Sequence, residues 1–313
     1  MYIGVDIGGT NLKAGLVTED GLIISEHDIP TGADRPQNVV LNDIVELVKN
    51  LIANSGKNPK DIKAIGMGSP GMIDSEAGTV IYNNNLGWEN FRIAPMMSEA
   101  LNLPARLEND ADAAALGEVI AGSAKGAKSA MIITLGTGVG TGLVIDGKIL
   151  PFCEFGHMVI KDGGRDCTCG RSGCFEAYTS ATGLINLTKD AIKDNPNSKL
   201  ASMAKSSGEV TGRTVFDAAD TGDEAAIKLI DEYIGYLAIG IGNYINGLHP
   251  EIISIGGGIA KQGEKLLSPL RKKLEHEIYG FKYMNGLPSK IVTCTLGYKA
   301  GIIGAAMAAR QLV

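Results

Sequence analysis

The chain has 313 residues, of which 44% are hydrophobic and 20% charged. This composition is typical of globular proteins, and the length favours two hydrophobic cores. The net charge of −6 argues against a nucleic-acid surface, which would require a basic patch. The most apolar helical stretch, residues 234–248, is broken by glycines and is too short to span a bilayer. No secretory signal precedes the first strand, so we expect a cytoplasmic protein.

The first part of the sequence alternates predicted strands and helices, as α/β proteins do. Strands are predicted, in chain order, over residues 2–6, 12–18, 22–29, 62–68 and 105–108. Between them, residues 39–55 have helical spacing, with Val40, Ile44, Leu47, Val48 and Leu51 on one face. An alanine-rich helix follows at residues 111–121, and either Asn109 or Asp110 is its predicted N-cap.

A similar pattern begins again at residue 130. Residues 130–134 predict a strand, residues 136–140 a glycine-rich turn, and residues 141–145 a returning strand. Gly9-Thr10 aligns with Gly136-Thr137, and residues 15–17 align with residues 142–144 at the same offset. We interpret this as an internal duplication that forms two related α/β domains around a cleft. The alternative is two unrelated hairpins of similar composition.

The predicted domain boundaries follow from this duplication. We expect a small domain of residues 1–118, completed by a C-terminal helix within residues 301–313. We expect a larger domain of residues 119–300, which contains a cysteine-rich loop.

Three glycine-rich loops follow predicted strands, at Gly8-Gly9, at residues 136–140 and at residues 256–258. Their N–H groups are open to anionic oxygens because no Cβ blocks the approach, although tight hairpins also use glycine for its conformation alone. The third loop follows an apolar strand, where open α/β sheets bind ligands. Together the three loops favour a bound nucleotide over three unrelated turns.

Neither a P-loop nor a dinucleotide fingerprint is present. Bound phosphates would therefore be held in the manner of actin, hexokinase and the heat-shock chaperones. In that architecture Asp6 would orient a hydrated Mg²⁺, while Thr10 and Asn11 would approach the transferred phosphate. A carboxylate that accepts local N–H bonds is the structural alternative for Asp6.

Asp110 is the candidate general base, since it lies where a strand meets the N-terminus of a helix. The helix dipole and free N–H groups there favour an ionised carboxylate. Such a group can accept the proton of an attacking hydroxyl in phosphoryl transfer. An ordinary N-cap is the alternative, and this segment alone does not decide between the two.

Three cysteines within eight residues, Cys167, Cys169 and Cys174, follow His157 by ten residues. Three thiolates and one imidazole complete a tetrahedral Zn²⁺ site with no open position, which is typical of structural zinc. A redox pair or buried thiols are the alternatives. Glu154 and Glu176 flank the loop and could accept hydrogen bonds from sugar hydroxyls.

Taken together, these motifs resemble the ROK family of repressors, open reading frames and kinases, and within it the bacterial glucokinases. The matching segments are residues 6–10 (DIGGT), 68–71 (GSPG), 85–88 (NLGW), 108–118 (ENDADAAALGE), 135–142 (LGTGVGTG), 154–157 (EFGH), 167–176 and 256–258 (GGG). They occur in family order and cover nearly the whole chain.

The resemblance implies an actin-like ATPase (ribonuclease H-like) architecture and an ATP-dependent kinase that phosphorylates the 6-hydroxyl of glucose. It implies that Asp110 is the base, and that the sugar lies against Gly68, Asn85, Asn109, Asp110, Glu154, His157 and Glu176. The nucleotide and its Mg²⁺ would lie along Asp6, Gly8, Gly9, Thr10, Asn11, Lys13, Thr137, Gly138, Gly256 and Gly257. Zn²⁺ would be held by His157, Cys167, Cys169 and Cys174, and a homodimer is implied.

The sequence departs from the family at two positions. Asp112 stands where the family commonly has Asn, and we expect little effect. Cys153 stands where a small residue is usual, which puts the shape of the sugar pocket in question.

Three other functions remain as alternatives. The acceptor could be N-acetylmannosamine, N-acetylglucosamine, mannose or fructose, because kinases for such sugars share much of the motif set. A sugar-sensing repressor would need a DNA-binding helix-turn-helix before the strand that begins at Tyr2. A sugar-independent actin-like ATPase would not need the cysteine loop or Asn109-Asp110.

Overall fold

The computed structural model describes residues 1–313 as an α/β protein with thirteen strands and ten α-helices. The strands are β1 (Tyr2–Ile7), β2 (Asn11–Val17), β3 (Ile23–Pro30), β4 (Ala64–Ser69), β5 (Met72–Asp74), β6 (Thr79–Asn83), β7 (Trp88–Phe91), β8 (Ala105–Asn109), β9 (Ser129–Leu135), β10 (Val139–Ile145), β11 (Lys148–Leu150), β12 (Ile252–Gly257) and β13 (Lys290–Thr293). The helices are α1 (Gln37–Asn54), α2 (Ile93–Leu101), α3 (Asp110–Ala121), α4 (Phe175–Thr179), α5 (Ala181–Asp194), α6 (Lys199–Ser207), α7 (Thr214–Asp220), α8 (Glu224–Leu248), α9 (Glu264–Glu277) and α10 (Lys299–Ala309).

The first sheet has the strand order β3-β2-β1-β4-β8. Strands β1, β2 and β3 are antiparallel neighbours, whereas β4 pairs in parallel with both β1 and β8. Parallel strands end at the same edge of a sheet, and here the register pairs Asp6 with Gly68 and Gly68 with Glu108. The chain therefore brings Asp6, Gly68 and the residues that follow Glu108 to one edge.

The second sheet has the order β11-β10-β9-β12-β13, which repeats the first sheet position for position. Its outer pairs also repeat those of the first sheet, because β10 and β11 are antiparallel and β12 and β13 are parallel. The predicted duplication is confirmed at the level of topology. The predicted strands and the long helix α1, whose five predicted apolar positions are all buried, agree with the structure to within a few residues.

The chain divides into two compact units. Unit 1 comprises Met1–Ile132, Gly142–Pro151 and Cys294–Val313, and unit 2 comprises Ile133–Thr141 and Phe152–Thr293. These ranges differ from the predicted domains, whose boundaries stay a prediction. Unit 1 also contains a small antiparallel sheet, β5-β6-β7, that the sequence did not indicate.

Helix α10 lies in the interior of unit 1, and every residue from Ala300 to Ala309 is buried. Glycines permit its close approach to the first sheet. A Cβ on Gly4 would lie 1.9 Å from the carbonyl oxygen of Ile302, and a Cβ on Gly66 would lie 1.8 Å from that of Ala305. The small residues of these elements therefore serve backbone-to-backbone packing.

None of the helices combines the length and the apolar character that a membrane crossing requires.

Candidate active site

The turn between β1 and β2 is held by its carbonyl groups. Thr31, which is fully buried, donates its hydroxyl to Gly8 O (2.6 Å) and its N–H to Thr10 O (2.8 Å). The N–H of Gly8 donates to Asn11 O (3.0 Å), whereas those of Gly9 and Thr10 make no hydrogen bond within the chain. A turn fixed through its carbonyls with two free donors suits an anionic oxygen.

Asp6, at the end of β1, is a carboxylate in an unfavourable environment. Burial raises the pKa of Asp6 to about 6, Lys13 opposes this rise, and the charge of Asp110 adds to it. The Lys13 Nζ lies 3.9 Å from the Asp6 Oδ2. Asp6 and Asp110 are therefore close enough for each charge to affect the other, as expected of a site that receives a cation.

Replacing Asp6 by Asn should raise the melting temperature at pH 8 and about half as much at pH 5. The pKa of Asp6 is about 6 in the folded protein, against 3.8 for an unperturbed aspartate. Ionisation therefore destabilises the fold, fully above pH 6 and progressively less as the pH falls toward 4. The effect is on the order of 3 kcal/mol at most. Thermal melts at the two pH values, with exposed Asp61→Asn as control, test this; equal shifts at both pH values would contradict it.

The start of α3 settles which residue caps the helix. The Asn109 Oδ1 accepts hydrogen bonds from Ala111 N (2.9 Å) and Asp112 N (3.4 Å), so Asn109 is the N-cap. Asp110 is the first residue of the helix. The Asn109 Nδ2 donates to Gly71 O at 3.2 Å, which joins this corner to the loop after β4. The capping alternative for Asp110 is thereby removed.

Two further predicted sugar residues lie in unit 1. Gly68 is the β4 residue beside Asp6, and a Cβ there would lie 3.3 Å from the Ala113 Cβ. Asn85 lies beside the glycine turn, since a Cβ on Gly9 would be 4.0 Å from the Asn85 Cβ. The fold therefore brings these two predicted residues toward Asp6 and the turn.

In unit 2 the predicted zinc ligands form one cluster. The ligand atoms of His157, Cys167, Cys169 and Cys174 all lie within 4.8 Å of one another. The His157 Nδ1 is 3.6 Å from the Cys167 Sγ, and the Cys169 and Cys174 Sγ atoms are 3.7 Å apart. A tetrahedral site with Zn–S bonds of about 2.3 Å places sulfurs about 3.8 Å apart. The donor set and its spacing fit Zn²⁺.

The segment that carries Glu154 is held by buried hydroxyls. Thr141 donates to Cys153 O (2.5 Å) and accepts from Phe155 N (3.1 Å), so it bridges the two neighbours of Glu154. The hydroxyl of Tyr244 donates to Phe155 O at 2.8 Å. Cys153 is outside the cysteine–histidine cluster.

The second and third glycine loops meet within unit 2. The N–H of Gly136 donates to Gly138 O (3.0 Å), while those of Thr137 and Gly138 make no hydrogen bond within the chain. Gly257 has a φ of +88°, and a Cβ there would lie 2.2 Å from Leu135 O. Glycine at 257 is therefore required both by its conformation and by the approach of β12 to the end of β9.

Sequence patterns gave no indication that Thr31 and Thr141 support the site. Thr31 lies outside any motif, and Thr141 lies within the 135–142 segment but had no role assigned to it. The hydrogen bonds of each join residues more than ten positions apart. Only the folded arrangement reveals that they support the two predicted site segments.

The chain is similar to known proteins along its whole length. The ROK family profile matches residues 2–312. A glucokinase of Halalkalibacterium halodurans is 37% identical over 99% of this chain and 95% of the relative. A xylose repressor of Caldicellulosiruptor bescii is 28% identical over 96% of this chain and 76% of the repressor.

Solved structures agree with this result. A ROK hexokinase from Thermus thermophilus superposes with a TM-score of 0.84 at 29% identity, covering 99% of this chain and 98% of the other. A ROK family glucokinase from Streptomyces griseus, solved with glucose and AMPPNP, has a TM-score of 0.78 at 31% identity and covers 99% of both chains. The fold is that of the actin-like ATPases. The chain belongs to the ROK family.

Proposed function

We propose that this chain is an ATP-dependent sugar kinase that phosphorylates glucose at the 6-hydroxyl and releases glucose 6-phosphate and ADP. The observation that carries the proposal is the pair of carboxylates, Asp6 and Asp110, at one edge of the first sheet. One carboxylate suits the Mg²⁺ of a nucleotide, and the other suits a general base. Similarity to glucokinases over 99% of the chain supports glucose as the acceptor.

In this mechanism the sugar oxygen attacks the γ-phosphorus in line, and the bond to the departing ADP oxygen breaks. Asp110 accepts the proton of the 6-hydroxyl. The other sugar hydroxyls would be bound by Asn109, Glu154, His157 and Glu176, with Gly68 and Asn85 nearby. The nucleotide would lie along Gly8, Gly9, Thr10, Asn11, Lys13, Thr137, Gly138, Gly256 and Gly257.

Two metal ions belong to the proposal. Mg²⁺, when bound, supplies positive charge that neutralises the phosphates, and Asp6 would orient its water shell. His157, Cys167, Cys169 and Cys174 would hold a structural Zn²⁺ with no open coordination position. Since the His157 Nδ1 faces Cys167, its Nε2 would remain for a sugar hydroxyl. A cytoplasmic homodimer, as the resemblance implies, completes the proposal.

A panel of sugars in a coupled ADP-release assay tests the acceptor. We expect glucose to give the highest kcat/KM, with mannose lower and N-acetylmannosamine, N-acetylglucosamine and fructose lower still. Epimers differ by one hydroxyl, and a buried polar group left without its partner penalises the wrong sugar. A higher kcat/KM for another hexose would reassign the substrate within the kinases. ADP release without any sugar would instead favour the actin-like ATPase alternative, and no turnover with any sugar would favour a sensor.

A further inference from the structure

The Glu176 side chain contacts the second glycine loop directly. Its Oε2 accepts a hydrogen bond of 2.8 Å from the N–H of Val139. A Cβ on Gly138 would lie only 2.4 Å from that same oxygen, so the carboxylate occupies the space left open by the missing side chain. Glu176 therefore fixes the backbone at the end of the loop that offers the N–H groups of Thr137 and Gly138.

The residues after Glu176 hold the beginning of the same loop. The N–H of Ala181 donates to Gly136 O at 2.8 Å, and the Thr182 hydroxyl donates to Thr137 O at 2.8 Å. Both donors lie in the first turn of α5. The segment from Glu176 to Thr182 therefore makes three hydrogen bonds to the loop, at Gly136, Thr137 and Val139. Of the three groups in this segment that make these bonds, only the Glu176 carboxylate carries a charge.

Glu176 also contacts the cysteine cluster. Its Oε1 lies 3.3 Å from the Thr168 Oγ1 and 3.6 Å from the Cys167 Sγ. Cys174, a member of the cluster, is the residue immediately before α4, and Glu176 is in the first turn of that helix. One carboxylate thus joins the predicted zinc loop to the predicted nucleotide loop.

We propose that Glu176 is a positioning residue for nucleotide binding, which holds the Gly136–Val139 backbone in its anion-binding conformation through the Val139 N–H. This role comes in addition to any contact with sugar, because a carboxylate has about four acceptor positions and Val139 occupies one. The inference rests on the proposed kinase function, specifically on phosphate binding at this loop.

The test measures the affinity for Mg²⁺–AMPPNP by calorimetry without sugar, in the wild type and three variants. Glu176→Gln keeps an acceptor oxygen at the same reach and should bind within about twofold of wild type. Glu176→Asp keeps the charge but is one methylene too short, and Glu176→Ala removes the acceptor. Both should raise the Kd about tenfold, the equivalent of about 1.4 kcal/mol.

Controls separate this role from sugar binding and from misfolding. Glu154→Ala removes another predicted sugar ligand and should leave the nucleotide Kd unchanged. Circular dichroism and zinc content should match the wild type in every variant compared. If the Glu176→Ala variant does not fold, the comparison of Glu176→Asp with Glu176→Gln is sufficient for the test. If the Gln variant loses as much affinity as the Asp variant, or if all variants bind like wild type, the inference is wrong. A wild type that does not bind the nucleotide would overturn the kinase proposal instead.

Discussion

Replacing Asp110 by Asn is expected to lower kcat by about 10²- to 10⁴-fold, the range that positioned proton transfer contributes. An amide at the first position of α3 keeps the size and the local hydrogen bond to Ala111 but cannot accept the proton of a hydroxyl. Glucose affinity should survive because the other predicted sugar ligands are untouched. Steady-state ADP release and calorimetric glucose binding measure the two quantities.

The matched control is Asp112→Asn, which removes a carboxylate from the same turn of α3 and introduces the residue common in the family. Its turnover should stay within a few-fold of wild type. Near-normal turnover in Asp110→Asn would remove the general-base assignment. A comparable loss in both variants would indicate that the helix start, and not proton transfer, had been disturbed.

Replacing Gly304 by Ala is expected to destabilise the protein severely. A Cβ at this position would lie 1.6 Å from the carbonyl oxygen of Ala113 in α3, so the backbones of α10 and α3 would have to separate. Overpacking typically costs about 1–3 kcal/mol. We expect at least the upper end of that range, because neither clashing atom belongs to a flexible side chain. Urea unfolding monitored by circular dichroism gives the change in free energy of unfolding.

Gly235→Ala provides the comparison, since it makes the same substitution within helix α8 where no heavy atom lies within 4 Å of the new Cβ. There the higher helix propensity of alanine should stabilise the protein by about 0.5–1 kcal/mol. Equal urea midpoints for the two variants would contradict the close packing of α10 against α3.

Much of the fold was predictable because its strands are apolar and their turns contain glycine. The duplication was visible since both hairpins keep glycine and threonine at equivalent places, and the structure confirms it as a repeated strand order. The β5-β6-β7 sheet was missed because its strands have only three to five residues and alternate poorly, with Met72 and Tyr82 exposed. Such short segments carry no period for a pattern to detect.

The motifs of the site were predictable from the sequence, but the hydrogen bonds that hold those motifs in place were not. The cysteine–histidine spacing indicated a four-residue cluster, and the structure brings those side chains together. By contrast, the choice between Asn109 and Asp110 as N-cap required coordinates, because both residue types cap helices equally well. The contact of Glu176 with Val139 joins residues 37 positions apart, and no local pattern specifies such a pair.

The placement of α10 has a consequence for the order in which the chain folds during synthesis. Domains generally fold as the ribosome releases them, N-terminal parts first. Here the Gly4 and Gly66 faces of the first sheet are covered by residues from the last twenty of the chain. Most of unit 2, Phe152–Thr293, has been translated by then. Strand β1, which is translated before unit 2, thus belongs to a unit whose helix α10 is translated only after unit 2.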